Sequence, residues 1–172
     1  MNEQMKYPKL FRFLHWITFI LIVLLFISGL GMEDYKFDEG NFFRFKRHAL
    51  MGVSVLFITL IRLAYKYKNK HRFPPEIEYY SPVHEKIVKA IHLLIYIILI
   101  LAPIVGFVTI YQTGALAYDF GGPFPENAEL NPSLINLHKF LVYTLGLLII
   151  MHIGGVFMYK IKTGQSLLKR MI

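Results

Sequence analysis

Four stretches of the chain are almost continuously apolar, and three polar connections separate them. The first runs over 13–31 (FLHWITFILIVLLFISGLG) and the second over 49–65 (ALMGVSVLFITLIRLAY). The third covers 90–111 (AIHLLIYIILILAPIVGFVTIY) and the fourth 134–159. Each reaches or approaches the ~20 residues that a helix needs to cross a bilayer. A segment in lipid must satisfy its backbone hydrogen bonds internally, so the pattern predicts helices rather than open strands. It predicts an all-α integral membrane protein, with one domain over 1–172 built as a four-transmembrane-helix bundle. Lys6, Lys9 and Arg12 precede the first stretch as they would a secretory signal. That stretch is longer than an h-region of about 7–15 residues, and ISGLGM makes a poor cleavage site, so it reads as a retained helix.

Composition supports this picture. Hydrophobic residues make up 55% of the chain and charged residues 17%, against about 25% charged in soluble domains. With no cysteine, disulfides, thiolate zinc sites, Cys-held iron–sulfur clusters and covalent C-x-x-C-H haem attachment are excluded. The net charge of +8 does not point to nucleic acid, because the cations flank the apolar runs, where they orient a membrane protein. Fourteen of the 19 Lys and Arg residues fall before the first stretch, around the second connection or after the fourth stretch. The positive-inside rule therefore places both termini and the second connection in the cytoplasm. The third connection (QTGALAYDFGGPFPENAELNPS) carries Asp119, Glu126 and Glu129 and no Lys or Arg. It reads as an external ordered loop or cap rather than a fifth span. Tyrosines 65, 67, 79, 80, 111 and 159 stand near the ends of the stretches, as an interfacial belt would.

Histidines carry the candidate chemistry. Of the seven, His71 lies in a basic connection and reads as solvated, and His84 as a surface residue. The others fall in or beside the spans, where an ionisable residue is a functional candidate by default. His138 and His152 are 14 residues apart, which is about 40° short of four helical turns and a rise of roughly 21 Å. One helix thus offers an imidazole to each half of the membrane from nearly one face. Depth pairs His15 with His152 at the inner level and His48 with His138 at the outer level. Two imidazoles facing each other across a bundle are suited to holding a haem iron from both sides. The alternatives are hydrogen-bonded helix contacts and zinc. Zinc needs three or four clustered ligands, which two sites about 21 Å apart do not supply. Gly52 and Gly146 would let a flat macrocycle approach the backbone. Arg62, 14 residues after His48, is placed to pair with an inner haem propionate or else to snorkel. His92, at inner depth, would support the inner haem, contact a quinone or bond another helix.

These residues resemble a known family. FLHW on the first stretch matches it. So do His48-x-x-x-Gly52 followed by IRL, His92-x-x-x-Tyr96 with Pro103-x-x-Gly106, and the His138/His152 pair. In this order they are similar to the bacterial cytochrome b561 family, related to the cytochrome b subunits of nickel–iron hydrogenases. The resemblance implies a multi-pass inner-membrane protein with two haems b, each held by two histidines (His15, His48, His138 and His152). It implies electron exchange with a quinone, ubiquinone or menaquinone. Four spans rather than five fit the hydrogenase-subunit branch less well. Some members of the family are thought to oxidise superoxide and reduce ubiquinone. Arg44, Lys46 and Arg47, just before His48, and Lys139, just after His138, would suit steering of such a small anion. They would equally bind propionates or lipid headgroups, and Glu33, Asp34, Asp38 and Glu39 would cancel part of the field. The expected function is a superoxide:quinone oxidoreductase. The alternatives are a relay between quinone and a redox partner protein, and a non-redox metal-ion transporter. The quinone site is placed provisionally near His92 and Lys89.

Overall fold

A computed structural model describes residues 6–33, 35–125 and 128–172. Four long helices follow the four apolar stretches: α1 (Lys9–Leu30), α2 (Phe42–Lys68), α3 (Pro82–Tyr111) and α4 (Pro132–Thr163). All four are long and apolar enough to cross a membrane. Their outward faces carry large apolar side chains such as Phe13, Ile27, Phe57, Leu93 and Ile150, as lipid contact requires.

The helices extend past the apolar stretches because polar ends are helical too. Ser81 caps α3, its hydroxyl accepting from the His84 amide at 3.1 Å with Pro82 in the first turn. Asn131 caps α4 through the amides of Ser133 and Leu134. Side-chain oxygens at these positions satisfy amides that the helix cannot, and proline at the first position loses nothing. Gly164, at φ 73°, ends α4 in the left-handed conformation that favours glycine. His48, expected at the mouth of the second span, lies instead in the second turn of α2.

Close packing runs from α1 to α2, α2 to α3 and α3 to α4. Ile22, Val55, Ile98, Leu99, Leu145 and Leu148 form the central layer of the core. Both ends of the bundle are closed. At the end away from the termini, a 3₁₀ turn (Ala115–Phe120) lies within the third connection, which is thus an ordered cap. Phe37, Phe42, Phe45, Tyr118 and Phe124 pack together there, edge-on except for the tilted Phe37–Phe124 pair, with centroids 5.0–6.2 Å apart. The Glu39 carboxylate accepts from the Tyr118 hydroxyl at 2.9 Å, and this bond raises the phenol above its ordinary range. At the opposite end, the Tyr7 amide donates to the Arg170 carbonyl at 3.0 Å. The Trp16 indole donates to the Met171 carbonyl at 2.8 Å, and Arg170 reaches the Pro75 carbonyl. These bonds tie a second 3₁₀ turn (Leu167–Arg170) to α1 and to the second connection. We call the two ends the cap end and the terminal end.

Candidate functional site

The fourteen-residue spacing on α4 places one histidine at each end of the bundle, and each meets an imidazole from another helix. At the cap end His48 of α2 faces His138 of α4, with ring centroids 6.2 Å apart. At the terminal end His15 of α1 faces His152 of α4, with centroids 6.5 Å apart. Two imidazoles bound to one metal through bonds of about 2 Å would have centroids about 6 Å apart, a separation that both pairs match. The helices that face each other here, α1 with α4 and α2 with α4, are not among the closely packed pairs. A macrocycle needs such a gap. His71 is exposed, as expected.

The cap-end pair is held by its neighbours. Ser28 Oγ lies 3.1 Å from the Leu25 carbonyl, to which it donates, and 2.8 Å from His48 Nδ1. With the serine proton so used, His48 Nδ1–H donates to the hydroxyl oxygen. His138 Nδ1 donates to the Ala102 carbonyl at 3.0 Å. In both rings this leaves the Nε2 lone pair available to a metal, the usual arrangement for a histidine ligand. Gly106 makes room for this geometry. A Cβ there would stand 3.1 Å from His138 Cε1. Gly29 plays a similar part beside His48, at 3.4 Å. A cavity of about 140 Å³ opens between the rings, lined by Gly29, Gly52, Val55, Ala102, Gly106 and Leu145 among others. Gly52 therefore borders the candidate haem space. Gly146 faces elsewhere. A Cβ on it would meet Phe26 at 3.2 Å, and it lines a shallow groove between α1 and α4.

At the terminal end the informative residue is Arg62. It is only 8% exposed. Its guanidinium lies over Phe11 at 4.9 Å and Tyr96 at 5.6 Å, and its Nε has no hydrogen-bond partner. A buried guanidinium with an unsatisfied donor calls for an anion, and a haem propionate between His15 and His152 would supply one. The residues present therefore fit haem at both ends. Zinc fits poorly, because among the described residues no three His, Cys, Asp or Glu side chains converge as a metal-ion site.

The basic cluster at the cap end is less open than the sequence suggests. Lys46 is paired with Asp119 at 2.6 Å, and Lys139 with Glu33 at 2.6 Å. These acids come from the third and first connections, so both lysines are partly neutralised by the cap, although their side chains keep 33% and 43% exposure. Arg44 lies over Tyr35 at 4.3 Å and Arg47 over Phe43 at 4.8 Å. Both arginines are exposed on the first turns of α2. Asp34 and Glu126 lie outside the described residues. His84 also departs from expectation. Its ring is half-buried, stacked at 3.8 Å on Tyr80 and at 6.5 Å on Tyr159. Tyr159 is only 3% exposed, so it belongs to this stack rather than to an interfacial belt. Lys89, the provisional quinone neighbour, pairs with Glu85 at 2.6 Å.

Ser28, the Ala102 carbonyl and Gly29 were not anticipated. Gly106 belongs to the Pro103-x-x-Gly106 motif, which by itself implies no such role. A serine and a pair of glycines in apolar helices were the only available signals.

Comparison with known families matches residues 6–172 to the model described as prokaryotic cytochrome b561. That covers all but the first few residues, with the paired histidines inside it. The chain therefore belongs to the prokaryotic cytochrome b561 family, and it is a multi-pass membrane protein that binds b-type haem and transfers electrons.

Proposed function

We propose that the chain holds two haems b and carries electrons between an external donor and the membrane quinone pool. The observation that carries this reading is the pair of facing imidazole couples at opposite ends of α4, with centroids 6.2 and 6.5 Å apart. His48 and His138 would hold the cap-end haem, and His15 and His152 the terminal-end haem. Held between two imidazoles, a haem would supply one-electron outer-sphere chemistry. The protein's own contribution is to position and insulate. Ser28 and the Ala102 carbonyl orient the cap-end imidazoles, Arg62 awaits an anionic group, and the aromatic cap and the closing turn Leu167–Arg170 shield the ends from water. Positive-inside topology, with 14 of 19 Lys and Arg residues assigned to one side, supports a cytoplasmic terminal end in the bacterial inner membrane.

For the donor we propose superoxide, with ubiquinone as acceptor. Two superoxide anions each lose one electron to give dioxygen, and one quinone takes two electrons and two protons to give the quinol. Arg44 and Arg47 are the steering residues in this reading, since Lys46 and Lys139 are engaged in ion pairs. Stopped-flow mixing of the oxidised protein with superoxide, in the presence of ubiquinone, tests it. Reversing both arginines to glutamate is expected to slow haem reduction about tenfold at low ionic strength, and the difference should shrink as salt screens it. An unchanged rate at low salt would dismiss the steering. Haems that ignore superoxide but are oxidised by ubiquinone would favour the second reading, a relay between quinone and a redox partner protein. Family membership replaces the metal-ion transporter reading.

A further inference from the structure

The two ends of α4 are not built alike. At the cap end both imidazoles have Nδ1 held, His48 by Ser28 and His138 by the Ala102 carbonyl. At the terminal end no hydrogen-bond partner is found for His15 or His152 among the described residues. A third imidazole stands there instead. His92 of α3 lies edge-on to His152, with centroids 4.8 Å apart and ring planes at 87°. Its Nδ1 donates to the Val88 carbonyl, one turn earlier on α3, at 2.7 Å. That bond decides the tautomer. A neutral imidazole has one donor and one acceptor nitrogen, so a His92 that donates from Nδ1 carries its lone pair on Nε2.

We infer that His92 is the positioning residue of the terminal-end haem site, its Nε2 accepting from His152 Nδ1–H. The inference rests on the reading of His15 and His152 as an axial pair. An N–H···N bond of about 2.9 Å between two imidazoles puts their centroids about 5 Å apart. The observed 4.8 Å is already at that range, and rotation of one ring would align the bond. The arrangement would give His152 what Ser28 and the Ala102 carbonyl give the cap-end histidines. An acceptor on the far nitrogen fixes the ligand's orientation and raises its basicity. A more basic ligand favours oxidised iron, so His92 would hold the terminal-end haem at a lower potential than it would otherwise have.

His92 is exposed, so replacing it leaves core packing intact. The test is a redox titration with electron paramagnetic resonance on the purified haem-loaded protein, comparing wild type, His92→Ala and His92→Gln. His92→Ala is expected to retain both haems. The terminal-end haem should then titrate at a higher potential with altered low-spin g values, while the cap-end haem stays unchanged. His92→Gln offers a carbonyl acceptor and should return both readouts toward wild type. Unchanged potential and spectrum in His92→Ala, with both haems present, would overturn the inference. So would loss of a haem from His92→Ala but not from His152→Ala, because His92 would then be the ligand itself. Fewer than two haems in the wild type would defeat the underlying two-site reading, and that failure would be visible before any variant is compared.

Discussion

His138→Ala is expected to yield a protein with one haem b per chain in place of two, retaining the terminal-end haem. The loss follows from geometry. His138 faces His48 at 6.2 Å and is oriented by the Ala102 carbonyl in the hollow left by Gly106. Among the described residues no other histidine lies against His48 to replace it. Removing the imidazole would leave His48 as the single histidine facing a largely apolar cavity, which would hold a haem poorly. His15 and His152 lie at the other end of the bundle, roughly 21 Å along α4, so their site should persist. His48→Ala should give the same product. Haem stoichiometry and low-temperature absorption of each variant check this. If His138→Ala emptied the site shared with His15, the pairing would be wrong. Each variant should also melt at a lower temperature than the two-haem protein, because a ligand bound only to the folded state stabilises it.

Arg62→Leu is expected to act in opposite directions on the two forms of the protein. Without haem, the guanidinium is buried with an unpartnered Nε, and burying a charge without an anion costs several kcal/mol. Its contacts with the Phe11 and Tyr96 rings return about 0.5–2 kcal/mol each at most. Leucine should therefore raise the melting temperature of the haem-free chain. With haem, the same change removes a charge-assisted hydrogen bond worth about 1.5–3 kcal/mol, so affinity at the terminal-end site should fall by roughly ten- to a hundredfold. Arg62→Lys keeps the charge but not the planar fork and should fall between. Haem titration into the stripped protein, with thermal unfolding of both forms, measures the two signs. Unchanged affinity would remove Arg62 from the haem site.

The pairing of the histidines was legible because it depends on quantities that a sequence carries directly. Spacing along one helix gives face and depth. Helix extents were less legible, because residues such as those in RFKRH are helical for reasons that hydropathy does not register. There the aromatic cap and the Lys46–Asp119 pair hold the chain. That ion pair joins residues 73 positions apart, so the linear sequence gives no sign of which acid Lys46 meets. The partners of the imidazoles were hidden for a different reason. Ser28 is a common residue, the acceptors at Ala102 and Val88 are backbone carbonyls with no residue signature, and only tertiary packing assigns them. His84 and Tyr159 followed the same pattern, since stacking between α3 and α4 buries Tyr159 and half-buries His84. Gly146 had the right spacing, but Phe26 occupies the space beside it.

The central claim is two b-type haems on one short chain, and haem content tests it most directly. The pyridine haemochrome of the purified protein, measured against an independent determination of protein concentration, is expected to give two haems b per chain. One haem per chain, or a colourless protein after expression with ample haem supply, would contradict the account.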